Sequence, residues 1–150
     1  MKNSGFTLVE LIAVMIIIAV LAVAAIPRFF ERQAFDARGF GDATLAMLRY
    51  AQKAAIAERR RVCVDFTAST VSLRVANSEG AAAPCDRDLA GPNGATPYQI
   101  QAKGGVAFGP VPATFSFNAL GQASAATTIK ISGLPATIQV EQETGHVHAS

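Results

Sequence analysis

Three small sets of residues in this chain have the types and spacing to do chemistry. His146 and His148 alternate in Gly145-His146-Val147-His148, so on a strand both imidazoles fall on one face. Asp86, Asp88 and Asn93 gather oxygen ligands in one stretch, the kind of donor set that holds calcium. Cys63 and Cys85 are the two cysteines, either bridged to each other or left as free thiols. Each set falls short of an active centre. Two histidines are fewer than the three or four ligands a zinc site takes, and they read as exposed side chains. The acidic stretch has neither EF-hand spacing nor a bidentate glutamate. No glycine-rich phosphate loop, nucleophile elbow or metalloprotease helix occurs, and no group of titratable residues converges. The sequence therefore points to no catalytic residue, no metal and no cofactor, and away from an enzyme.

The residue that does demand a chemical reason is Glu10. It stands at the edge of an apolar run that reaches Ala25 without another charge. An ionised carboxylate in hydrocarbon is costly unless a partner neutralises it. Extended from Phe6 towards Phe30, the run has about the 20 residues a membrane helix requires. It is too long for a secretory signal core, and Ala24-Ala25-Ile26 leads into Pro27-Arg28 with no small-residue cleavage site. Lys2 in front of it predicts a cytoplasmic N-terminus, with everything after Arg28 on the far side.

Gly5-Phe6-Thr7-Leu8-Val9-Glu10-Leu11, the apolar run and Pro27 together resemble the leader and first helix of type IV pilins and pseudopilins. The resemblance implies cleavage by a prepilin peptidase between Gly5 and Phe6, and methylation of the new amino terminus on Phe6. It also implies that Glu10 pairs with the Phe6 amino group of a neighbouring subunit. The physical chemistry agrees. A new α-amino group, with a reference pKa of about 8, is mostly cationic at neutral pH. Glu10 lies four residues on, one helical turn away. The pair would act as a register device, since a misaligned subunit leaves a buried charge unpaired. Pro27 removes a backbone donor and is expected to kink or locally melt the helix near the outer membrane face.

The elements that follow divide at Arg61. Phe29 to Arg61 holds no turn cluster, although Gly39 and Gly41 weaken a helix locally. Leu45, Leu48, Gln52, Ala55 and Ile56 approximate one helical face, and Arg59-Arg60-Arg61 falls at the C-terminal turn, complementing the helix dipole. Unbroken from Phe6 to Arg61, such a helix spans about 84 Å at 1.5 Å per residue. The period then changes to two: Val62–Phe66 and Val71–Ala76 read as a hairpin. Residues 77–97 are rich in Gly, Pro, Asn and Asp and read as a long loop that a Cys63–Cys85 bridge would pin. Short strands are expected over 98–102, 106–108, 114–117, 127–132 and 137–141.

LRYAQKAAIAERRRVCVDF and FSFNALGQASAATTIKISG, with the closing Thr144-Gly145-x-Val147, are similar to minor pseudopilins of the GspH/FimT type and to minor pilins of the MSHA pilus. The expected fold class is α+β and pilin-like: a long N-terminal helix, then an antiparallel β-rich globular domain. The expected divisions are a leader (1–5), a transmembrane or filament-core segment (6–28), the second half of the helix (29–61) and a β-rich periplasmic domain (62–150). A minor pilin or minor pseudopilin of a type IV pilus or type II secretion system is the function implied. Its partners would be other pilin subunits, the prepilin peptidase and an inner-membrane assembly platform. The membrane would hold it, single-pass, until it joins a filament. Of the 13 basic and 11 acidic residues, 11 and 10 lie from Glu31 onward, a nearly neutral body with no broad field for nucleic acid. A pilus-tip subunit gripping DNA or a surface through Arg59–Arg61 and the 77–97 loop is the alternative.

Overall fold

The computed structural model describes the backbone of residues 7–80 and 83–150, and their side chains apart from those of 23–31. One helix, α1, runs from Leu8 to Glu58, 51 residues, a rod of about 76 Å at 1.5 Å per residue. Thr7 caps it, its hydroxyl accepting from the Glu10 amide at 3.3 Å. The helix continues through Pro27, so that proline is no helix stop.

The C-terminal end differs from the expectation. The helix closes at Glu58, three residues before Arg61, because Arg59 turns into the left-handed region at φ 53 and its amide returns to Ala55 O and Ile56 O. Glycine is the usual residue for that cap, and a side chain there costs about 1 kcal/mol or more. The arginines therefore follow the last helical turn, which itself carries no basic residue.

Eight short strands follow: β1 (Val62–Phe66), β2 (Thr70–Val75), β3 (Arg87–Asp88), β4 (Gln99–Gln101), β5 (Phe115–Phe117), β6 (Thr127–Ile129), β7 (Ile138–Val140) and β8 (Val147–Ala149). The first five form an antiparallel sheet in the order β3-β2-β1-β5, with β4 also pairing with β2. The last three form an antiparallel sheet in sequence order. Single bridges Phe108–Ile131 and Phe117–Ala123 tie the later segments into the body. The strand expected over 106–108 is reduced to the first of these bridges, and the C-terminal strand extends to Ala149.

The core lies between one face of α1 and the sheets. Ala37, Phe40, Thr44, Met47, Leu48, Ala51 and Ala55 recur at helical spacing and are buried against Val62, Val64, Leu73, Val75 and Phe117. The face expected from sequence is rotated from this one: Ile56 is exposed and Met47 takes a core position. The small residues permit close approach. A Cβ on Gly41 would come within 2.8 Å of Leu134 Cδ2, which gives that helix-weakening glycine a packing reason. Gly145, at φ 63, lies so close to Gly121 that a Cβ would collide with its carbonyl oxygen.

Strand alternation explains β1 only in part. Val62 and Val64 point into the core as expected, but Cys63 is buried as well. It pairs with Ser116, also buried, on the opposite face of the sheet. The cover on that face comes from Arg61 and the segment carrying Cys85.

Tyr98, half-buried, stands edge-on to Tyr50 with ring centroids 5.4 Å apart, while Tyr50 donates to Ala90 O at 2.8 Å. Burial, and secondarily the charge of an ionised Tyr50, raises the Tyr98 pKa above its ordinary value of 10.0. The folded chain thus holds this proton more tightly than the unfolded one. Its stabilising contribution is whole below about pH 10 and is lost as pH climbs through the folded value. Tyr98→Phe is expected to flatten that alkaline fall in thermal melts taken above pH 10. An unchanged slope would place the alkaline loss elsewhere.

Candidate assembly surface

The first half of α1 leaves the body. Among the described residues, buried helix positions begin at Ala37, whereas the large apolar side chains from Leu8 to Leu21 are all exposed, Leu8 at 74% and Leu21 at 63%. They occupy every side of the helix, not one stripe. A helix apolar all round is stable only when something covers it, either lipid or other helices. Between Leu8 and Ala22 the sole charged residue is Glu10.

Among the described residues no helix is long and apolar enough to cross a membrane. The apolar part whose side chains are described, Leu8 to Ala22, reaches about 22 Å, short of the roughly 30 Å of a bilayer's hydrocarbon core. The rest of the expected span, with Pro27 in it, is helical in backbone, and its side chains lie outside the described residues. Gly5 and Phe6, the expected cleavage and methylation positions, also lie outside them.

Glu10 is exposed and sits three residues after the capping Thr7. Thr-x-x-Glu is the spacing of a capping box, and a carboxylate in the first turn faces the positive end of the helix dipole. The Thr7–Glu10 spacing is the signal of this local role, and sequence reasoning passed over it. It gives Glu10 a second physical reason, distinct from pairing with a neighbour's amino terminus.

The cysteines are joined: the Cys63–Cys85 bridge has an S–S distance of 1.99 Å and a Cα separation of 6.1 Å. It pins the segment after β2, aided by the Asn77 amide donating to Asp86 Oδ1 at 3.0 Å. Arg61 adds a third tie, its Nε donating to Ser116 Oγ at 3.0 Å and its guanidinium to Ala83 O at 3.4 Å. The 77–97 stretch is therefore not a structureless loop. It contributes β3, buries Leu89 in the core, and links Arg87 to Glu58 at 3.0 Å. Arg61 is the residue that sequence reasoning misplaced. Its neighbours in a run of three arginines signalled solvation, and only the fold brings Ser116 beneath it.

The remaining candidates do not converge. Asp86 Oδ1 holds Asn77, Asn93 Oδ1 accepts from the Ala95 amide at 3.2 Å, and Asp88 is exposed on β3. His146 and His148 stack with centroids 5.2 Å apart, and His148 lies on β8. Among the described residues no three His, Cys, Asp or Glu side chains are grouped to hold a metal ion.

Comparison with known proteins agrees with this geometry. The family model for the prokaryotic N-terminal methylation motif matches residues 1–26. The type IV major pilin protein PilA of Myxococcus xanthus (strain DK1622) is 42% identical over 60 residues, 40% of this chain and 27% of that protein. The match thus spans about a quarter of that relative's length. Two crystal structures of the type IV minor pilin FimU of Pseudomonas aeruginosa (strain PAO1) share the fold. One has a TM-score of 0.52 at 16% identity, covering 75% of this chain and 91% of that one. The other has a TM-score of 0.55 at 17% identity, covering 81% and 92%. In motif and fold the chain is type IV pilin-like. Its solved structural neighbours are minor pilins, and the expected α+β architecture is the one observed. The motif and the fold point to a structural subunit, membrane-anchored or in a pilus, rather than to an enzyme.

Proposed function

We propose that this chain is a minor pilin or minor pseudopilin, a subunit of a type IV pilus or a type II secretion pseudopilus. Prepilin peptidase removes residues 1–5, cutting between Gly5 and Phe6, and methylates Phe6. Residues 6–28 then anchor the chain in the inner membrane, with the amino terminus cytoplasmic and the β-rich domain from 62 periplasmic. An assembly platform transfers it into a filament, where Glu10 meets the Phe6 amino group of a neighbouring subunit. Pro27 marks the place where the helix bends between the two environments.

The observation that carries this reading is the apolar Leu8 to Ala22 part of α1, exposed on all sides and bearing one carboxylate, in a chain with a minor-pilin fold. Among the described residues nothing covers it. Lipid before assembly and packed helices after it supply the cover in turn. A grip on nucleic acid through Arg59–Arg61 has less support, because Arg61 is committed to Ser116 and Ala83.

Intact mass of the mature chain, purified from membranes, tests the processing. The expected chain starts at Phe6 and carries one added methyl group. A chain that still begins at Met1, or one that begins near Pro27, would overturn the pilin reading.

A further inference from the structure

Two features at opposite ends of the packed half of α1 are left unfinished in the single chain. At the C-terminal end, the 118–121 turn lifts Leu120 into solvent, 78% exposed. That turn is fixed from several directions. Asn118 Oδ1 accepts from the Leu120 and Gln122 amides at 2.9 and 3.0 Å, and Gln52 Nε2 donates to Gly121 O at 3.1 Å. An apolar side chain held rigidly in water gains nothing alone, but its ordering cost on binding is already met. Leu120 shares its pocket wall with Arg59, whose guanidinium makes no hydrogen bond or ion pair among the described residues.

At the other end, α1 and β4 enclose an open cleft of about 300 Å³. Phe35, 77% exposed, forms apolar wall with Phe40 and Ile100. Asp36 also lines the cleft, half-buried against Gly104, and makes no hydrogen bond or ion pair among the described residues. A half-buried carboxylate and a cationic rim are thus both unpaired. About 35 Å of helix separates Asp36 from Arg59 at 1.5 Å per residue, so they cannot meet within one molecule.

We propose that they meet between two copies of this chain: the Leu120 turn of one copy seats in the Phe35–Ile100 cleft of the next, with Arg59 facing Asp36. A protruding apolar side chain meets a concave apolar cleft, and opposite charges flank the contact. Lys103 also lines the cleft and is exposed, on a stem long enough to leave its ammonium in solvent, whereas Asp36 is half-buried. Knob and cleft are different surfaces, so the contact is head-to-tail rather than two-fold. This interface rests on the filament reading above and adds a specific contact between globular domains to it.

The test uses full-length chains in membranes, one tagged copy carrying Phe35→Cys and another Leu120→Cys. The native cysteines are bridged and do not compete. Mild oxidation is expected to give a mixed dimer from that pair, well above the background of Phe35→Cys with the exposed Thr128→Cys. Asp36→Arg should lower the yield about fivefold, and Arg59→Asp in the partner should restore it. Leu11→Cys homodimers report helix bundling independently. If these form while the mixed 35–120 dimer stays at background, the interface is wrong and the assembly reading stands. A stronger dimer between two Phe35→Cys copies would also overturn it, by showing a two-fold contact. Loss of both the 11–11 and 35–120 products would overturn this interface, which needs two copies to meet, while a subunit whose neighbours are other pilins would still start at Phe6 by intact mass.

Discussion

Glu10→Ala is expected to enter the membrane and fold like the parent chain, yet to be lost from assembled filaments. Glu10 is exposed, and among the described residues the buried helix positions begin at Ala37, so the packed domain is not expected to sense its removal. In the filament the partner amino group would be left as an unpaired buried charge, a cost of about 3–5 kcal/mol. That corresponds to roughly two to four orders of magnitude in incorporation, read as the ratio of subunit in sheared filaments to subunit in membranes. Alanine also removes the carboxyl at the capping-box position after Thr7, so a second variant separates the two roles. Glu10→Gln keeps the capping-box spacing after Thr7 but carries no charge. It should fail as alanine does if the charge pairs with a neighbour. Normal incorporation of Glu10→Gln would reduce Glu10 to a helix cap.

Replacing both Cys63 and Cys85 with serine is expected to lower the stability of the full chain by about 3 kcal/mol, the chain-entropy value for a closed loop of this size. The bridge spans 22 residues. A fall in melting temperature on the order of 10 °C follows for a chain this long. The loss should be directional within the structure. Cys63 and Ser116 are covered by this segment on the sheet face away from α1. Opening it therefore exposes that face and releases Arg61 from Ala83 while the helix–sheet core persists. Limited proteolysis should cut first within 77–86 in the serine variant and leave α1 intact. A melting temperature equal to the parent's would mean that the Asn77–Asp86 and Arg61 contacts hold the segment without the bridge.

The N-terminal half of α1 was open to sequence reasoning because its signal is local. A run of apolar residues, the single Glu10 within it and the Gly5-Phe6 motif before it are all adjacent in the chain. The switch to strands at Val62 was equally plain, since the period changes from helical to two and the hairpin β1–β2 needs only a short turn. The 77–97 stretch was harder. Its Gly and Pro content reads as loop, but β3 forms there because β2 offers an edge that Arg87 and Asp88 can join. The helical face was misjudged by part of a turn because alanines carry little periodic signal, and the sheet decides which of them it covers.

The sequence by itself determined the parts of this protein whose partners are near in the chain or lie outside the molecule altogether. The apolar helix with Glu10 belongs to this class, because lipid or neighbouring helices complete it and no internal contact was needed to recognise it. Tertiary structure decided what depends on residues far apart being brought together. Only folding puts Cys63 beside Cys85, sets Arg61 over Ser116, and leaves Arg59 and Asp36 without partners among the described residues at opposite ends of the packed helix. Local propensity carries no information about such pairings, because their energies exist only once the chain has closed the distance between them.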